Sequence, residues 1–162
     1  MTVKNLSDLF GHTLKDIYFA ETFISKNLLK MIEKSTNPSL KKLFRDHLTE
    51  TEGQIGRLET VFEALGIERE GKECPAIEGI VKEADDLMEQ IEDTDTLDAA
   101  LIAAAQAVEH YEITRYGTLL TWAKLLGYEH AIAPLRDTIE EEKSADSKLT
   151  RLAEDRLNKK AA

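Results

Sequence analysis

The sequence predicts an all-α fold, a four-helix bundle in which two antiparallel helical pairs are joined by one long crossover. Three observations carry this. Apolar residues recur every three or four positions through four long segments. Breakers are scarce, with three prolines and eight glycines among 162 residues, against the frequent turns that a sandwich or barrel needs. Those few breakers fall between the periodic segments. Aromatics at 6% point the same way. Chains near this length bury about two-thirds of their unfolded surface, so residues 1–162 are expected to form a single domain.

The first helix runs from about Leu6 to Ile32 on Leu6, Phe10, Leu14, Ile17, Ile24 and Leu28, with Asn5 or Ser7 as its cap. Ser35-Thr36-Asn37 breaks it, and Pro38 opens the second, which carries Leu43, Leu58, Val61 and Leu65 until Gly66 stops it. So short a loop makes the two antiparallel neighbours. A polar, turn-like stretch from Ile67 to Cys74 follows. Pro75 then opens a shorter amphipathic helix, about 75–92, with Ile77, Ile80, Val81, Ala84, Leu87 and Ile91 on one side. Thr94-Asp95-Thr96 introduces a third long helix, Leu97 to Leu126, which Gly127 closes. The fourth starts between Glu129 and Pro134 and continues to about Leu157, before a basic Lys159-Lys160 tail. Two long helices, a long connection and two more long helices is the order of a ferritin-like bundle.

Charge narrows the partners. With 31 acidic and 21 basic residues the formal charge is −10, which opposes a phosphate-binding face, so no nucleic-acid partner is expected. No unbroken apolar run near the start resembles a signal peptide or a membrane span, and the one cysteine, Cys74, forms no internal disulfide. The expectation is a cytoplasmic protein with no membrane partner, in which Cys74 is a plain structural or surface thiol.

The inward stripes hold an anomaly. Each helix, about 40 Å long, should show roughly seven or eight apolar positions on its seam. Instead the first reads Leu14, Ile17, Glu21, Ile24, Leu28, and the second reads Leu40, Leu43, His47, Glu50, Gln54, Leu58, Val61. The third reads Leu101, Ala105, Val108, Glu112, Tyr116, Leu119, with Glu109 one turn before Glu112. The fourth reads Leu135, Thr138, Glu142, Ala145, Leu149, with Asp146 one turn after Glu142. Glu21, Glu50, Glu109, Glu112 and Glu142 all fall near mid-helix, where antiparallel packing brings midpoints together. Carboxylates gathered in a core each carry a desolvation penalty of several kcal/mol, with repulsion added. Bound cations relieve both, and two ions suit this number of acids better than one. Taken singly, each Glu reads as a solvated flank; the coincidence across four helices favours a metal site. His47 is a ligand or a hydrogen-bond partner of one. Tyr18 and Tyr116 are core aromatics placed to reach a ligand. His12, His110 and His130 receive no role.

These residues lie in the stretches LKDIYFAE, HLTETEGQIGRLE, AAQAVEHYEITRYGTL and LRDTIEEEKSAD, through which nearly the whole chain resembles the bacterial YciE/YciF stress-protein family of ferritin-like proteins. The resemblance implies a helical homodimer. More distantly, the order of acids is similar to the rubrerythrin di-iron pattern, which implies Glu21, Glu109 and Glu112 as terminal ligands and Glu50 and Glu142 as bridges. Where those relatives place histidines, this chain has Gly53 and Ala145, with Asp146 the nearest substitute and Gln54 or a water available near Gly53. So oxygen-rich a set favours iron first, with manganese or magnesium as alternatives, over zinc or copper.

The expected function is a stress-associated protein with a di-iron or iron/manganese site that oxidises Fe(II) or reduces peroxide or dioxygen, its electron donor unidentified. The competing reading is a non-enzymatic structural or interaction protein keeping a relic or redox-inert metal site.

Overall fold

The computed structural model describes residues 2–69 and 73–162, so part of the expected polar turn after Gly66, residues 70–72, lies outside the described residues. The described chain is helical, without a β-strand. Its helices are α1 Leu6–Lys34, α2 Pro38–Leu65, α3 Pro75–Gln90, α4 Thr94–Leu126 and α5 Glu129–Leu152. A π-helical segment, Ala153–Leu157, and a last turn, α6 Asn158–Ala161, continue α5.

Local chemistry accounts for the boundaries. The Asn5 side chain accepts the Asp8 amide, and the Asn37 side chain accepts the amides of Ser39 and Leu40 just ahead of a first-turn proline. Gly66 and Gly127 end α2 and α4 in the left-handed conformation, with φ of 62° and 72°, which glycine adopts without steric cost. Two boundaries differ from expectation. Asp93 caps α4, its Oδ1 accepting both the amide and the hydroxyl of Thr96, so the helix begins at Thr94 and takes in the Thr-Asp-Thr run. The C-terminal lysines belong to helical backbone, and Lys160 lies 3.8 Å from Asp95 near the start of α4.

Helix α1 packs on α2, α2 on α5, α5 on α4, and α4 back on α1, so the four long helices close a ring. Helix α3 lies against α4 and α1 outside it. The ring is filled at both ends by apolar side chains, including Phe10, Leu14, Ile17, Leu58 and Leu119 at one end and Leu28, Leu40, Phe44 and Leu101 at the other. Its middle is polar.

A buried acid outside that middle has a structural role. Asp98 of α4 is 1% exposed, and its carboxylate accepts three hydrogen bonds from the α1–α2 turn: from the Thr36 amide at 2.8 Å, the Thr36 hydroxyl at 2.7 Å and the Asn37 amide at 2.8 Å. The turn is thereby tied to a side chain 62 positions beyond Thr36, and these three donors are satisfied. Asp98→Ala is expected to cost about 3 kcal/mol, because two amides and a hydroxyl lose a charged acceptor, and urea unfolding would show it as a lowered midpoint with an unchanged slope.

Candidate metal centre

All four long helices contribute polar side chains to the middle of the ring. Helix α1 supplies Glu21, α2 supplies His47, Thr51 and Gln54, α4 supplies Glu109, Glu112 and Tyr116, and α5 supplies Thr138 and Glu142, all of them buried. One donor atom from each of His47, Glu109, Glu112 and Glu142 lies within 4.8 Å of the others. His47 Nε2 is 3.3 Å from Glu109 Oε1. Glu21 joins through its interaction with Glu112, and its Oε1 accepts a short hydrogen bond from the Tyr116 hydroxyl, itself fully buried.

The electrostatics are those of acids taken out of water. Burial, and next the charge of Glu142, push Glu21 up to about 8, while the Tyr116 hydrogen bond pulls the other way. Glu109 and Glu112 stand well above the ordinary carboxylate range, for burial first and then for their acidic neighbours. Glu142 is raised by burial as well. Tyr116 is driven far up by burial and by the charge of Glu21.

Hydrogen-bond accounting gives the same answer independently. Among the described residues, every buried side-chain nitrogen or oxygen without a hydrogen-bond partner belongs to Glu21, His47, Thr51, Gln54, Glu109, Glu112 or Glu142. Buried polar atoms are ordinarily satisfied, and this group is rich in acceptors and poor in donors. Such a group could hold a cation. The donor set, carboxylate oxygens with one imidazole, fits hard or borderline ions such as iron and manganese.

Two of the candidate ligands stand outside this group. Glu50 is half-exposed; its Oε2 lies 3.6 Å from His47 Nδ1 and its Oε1 lies 3.7 Å from Lys148 Nζ, and the polar contact with the imidazole, then the lysine charge, hold it below the ordinary carboxylate range. The seam of α2 runs Phe44, His47, Thr51, Gln54, Leu58, so the step after His47 is four residues and Thr51 takes the inward place. Gly53 is exposed, and a Cβ there would meet nothing within 4 Å, so that position also faces away from the cluster. Asp146 is half-buried on the flank of α5, accepting from Gln106 Nε2 at 3.0 Å and lying 3.3 Å from His110 Nε2.

Gln54 is fully buried and its orientation is fixed from outside: its amide nitrogen donates to Glu141 at 3.1 Å, which leaves Oε1 without a partner on the buried side. Arg57 holds Glu141 through a short ion pair and donates to Thr138 at 3.0 Å. Sequence reasoning missed Thr51, Arg57 and Glu141. Thr51 was readable as the alternative three-or-four step after His47; the other two carry no signal that separates them from a solvated charged face. Tyr18 donates to Glu59 at 3.0 Å, and Cys74 is buried with its Sγ 2.9 Å from the Tyr111 hydroxyl, away from the centre.

Known proteins share this fold and much of its sequence. Residues 5–162 match the family described as a domain of unknown function, DUF892. The chain is 47% identical to protein YciF of Escherichia coli K12 over 164 aligned positions, covering 99% of this chain and 98% of that protein. The crystal structure of the E. coli stress protein YciF superposes with a TM-score of 0.92 at 45% identity, covering 97% of this chain and 99% of that one. YcfI of Rhodopseudomonas palustris, provisionally described as a structural protein, superposes with a TM-score of 0.90 at 49% identity, over 91% of this chain and 94% of that one.

Proposed function

The chain belongs to the DUF892 family, and we propose that it is a stress-associated, ferritin-like protein whose helical ring holds two metal ions, iron first, and oxidises Fe(II) or reduces peroxide or dioxygen. The observation that supports this reading is the group of ten buried polar atoms, from four helices, that have no hydrogen-bond partner among the described residues. The order of elements supports the ferritin-like assignment: two helices, an outlying α3, and two more helices that complete the ring.

In this reading His47, Glu21, Glu109, Glu112, Glu142 and the Gln54 carbonyl provide the donors, with Glu50 and Asp146 at the margin. Iron bound there would supply one electron per ion, so two ions could take dioxygen with two protons to hydrogen peroxide, or hydrogen peroxide with two protons to two waters. The chain's own residues do the rest. Tyr116 donates to Glu21 and fixes that carboxylate; Glu141 fixes Gln54; Ile24, Phe44 and Ala105 keep the surroundings dry. The carboxyl groups must shed protons as ions enter, so uptake is coupled to proton release. The resemblance to the stress proteins further supports a homodimer, and the single cysteine fits a cytoplasmic protein; no described helix is long and apolar enough to cross a membrane.

Anaerobic titration of chelator-stripped protein with Fe(II), followed by admission of air or peroxide, tests the reading. Saturation at two ions per chain and ferric absorption after the oxidant are expected. Binding without oxidation would favour a redox-inert structural site, the reading to which the description of the R. palustris relative and the exposed Gly53 lend weight. No binding of Fe(II) would overturn the iron reading and leave the non-enzymatic protein with a relic site.

A further inference from the structure

The cluster has two unlike ends. On α2, His47 and Gln54 are both buried on the inward seam but stand two turns apart, about 10.5 Å of helical rise. At one end the imidazole gathers with Glu109, Glu112 and Glu142. At the other the unpartnered α2 atoms are both oxygens, the Gln54 carbonyl and the Thr51 hydroxyl, and Glu21 is close enough to feel the charge of Arg57. That second end is braced from the flank. Glu141 Oε2 accepts from the Gln54 amide nitrogen at 3.1 Å and from Arg57 Nη2 in a short ion pair, while Arg57 Nε donates to the buried Thr138 hydroxyl at 3.0 Å. Arg57 and Glu141 are themselves half-buried between α2 and α5.

We propose that Arg57 and Glu141 are positioning residues that decide which metal this end takes: by holding the Gln54 amide with its oxygen inward they make one of the two positions an all-oxygen site for a hard divalent ion such as Mn(II), and the position at His47 takes the iron. The inference rests on the two-metal reading above and assigns an ion to each end. Donor chemistry fixes the direction of the amide. A carboxylate carries acceptors only, so Gln54 meets Glu141 with nitrogen, and its carbonyl is left for the buried side. Turned over, the amide would set oxygen against oxygen and aim two N–H donors, which ligate no cation, into the cluster. Arg57 keeps Glu141 in place by bonding it and Thr138 one turn before it on α5. Ligand type then separates the ions, because carboxylates and carbonyls suit manganese and magnesium whereas imidazole suits iron and zinc.

Binding alone, without turnover, tests this. Chelator-stripped chain is titrated with Zn(II) against a chromophoric chelator, and with Mn(II) by the electron paramagnetic resonance of the free ion. The native chain is expected to bind one Zn(II) about 100-fold more tightly than a second, and Gln54→His, which puts an imidazole at the second end, should bring the two within about tenfold. Glu141→Ala, which lets the amide turn, should weaken one Mn(II) site about tenfold and leave the tighter Zn(II) site unchanged, the range expected for loss of a partner that orients a ligand. Adding Gln54→Glu to Glu141→Ala should restore Mn(II) affinity, because a carboxylate offers oxygen whichever way it turns; a Glu141 that merely supports the fold would not be rescued. Two equal Zn(II) sites in the native chain would overturn the proposal, as would Mn(II) affinity indifferent to Glu141→Ala or a loss without rescue. Should Glu141→Ala fail to fold, Arg57→Gln, alone and with Gln54→Glu, is expected to show the same loss and the same rescue, and the absence of either would overturn the proposal. A native chain that binds neither ion would instead remove the two-metal reading, and this assignment with it.

Discussion

Replacing Glu112 and Glu142 together by glutamine is expected to weaken Fe(II) binding by more than about 100-fold, since loss of even outer partners of a metal costs 10–100-fold. The same double variant should be more stable than the native chain when both are free of metal at pH 8. Both side chains are fully buried, both carboxyls titrate above the ordinary range because burial disfavours their charged form, and none of their four oxygens has a hydrogen-bond partner. A glutamine of the same shape carries no charge to desolvate or to repel Glu21 and Glu109, and its amide brings two donors into a region short of them. Function and stability therefore move in opposite directions, as they do where a site is held in a form that only its ligand satisfies. Thermal unfolding at pH 8 together with competition against a chromophoric iron chelator would measure both. A double variant that keeps native iron affinity, or that melts below the metal-free native chain, would contradict the assignment.

The metal-free chain should also become more stable as the solution is acidified from pH 8 towards 5. Glu21 titrates at about 8 in the folded chain against 4.5 unfolded, and Glu109, Glu112 and Glu142 are raised in the same direction. Between those limits the folded chain binds more protons than the unfolded chain, so linkage makes stability fall as pH rises through the window. The contribution is complete below the unfolded value and lost above the folded one. Each tenfold difference in proton affinity between the folded and unfolded chain is worth about 1.4 kcal/mol, so a rise in melting temperature on the order of 10 °C is expected between pH 8 and 5 for a domain of this size. Glu50, held lower than an ordinary carboxylate, acts the other way, but its window lies below 4.5. Loading with metal should reverse the slope, because the ions bind the deprotonated carboxylates and their affinity climbs with pH. Scanning calorimetry at several pH values, with and without Fe(II), decides it; a metal-free chain that gains stability from pH 5 to 8 would refute the prediction.

Much of this molecule is legible in its sequence. The helix boundaries follow from residues whose chemistry acts over one turn: Asn37 before Pro38, and glycines at 66 and 127 where the backbone turns left-handed. The inward placement of Glu21, Glu109, Glu112 and Glu142 follows from the spacing of the apolar residues around them, because helix geometry turns separation along the chain into a direction in space. Periodicity resolves direction only to about 100° per residue, however, and steps of three and four both continue a stripe. That is why Glu50 and Thr51 compete for one inward place on α2, and packing gives it to Thr51. Glu50 lies on the flank, beside Lys148 and His47.

What the sequence by itself determined is therefore the set of helices and the presence of acids among their buried faces, since both depend on interactions within a few residues. Only the tertiary structure decided which donors meet: that His47 of α2 lies against Glu109 of α4, that Glu141 of α5 turns the Gln54 carbonyl inward, and that Asp98 ties down a turn 62 positions before it. Each of these is a contact between helices far apart along the chain, whose relative rotation is set by the packing of whole faces.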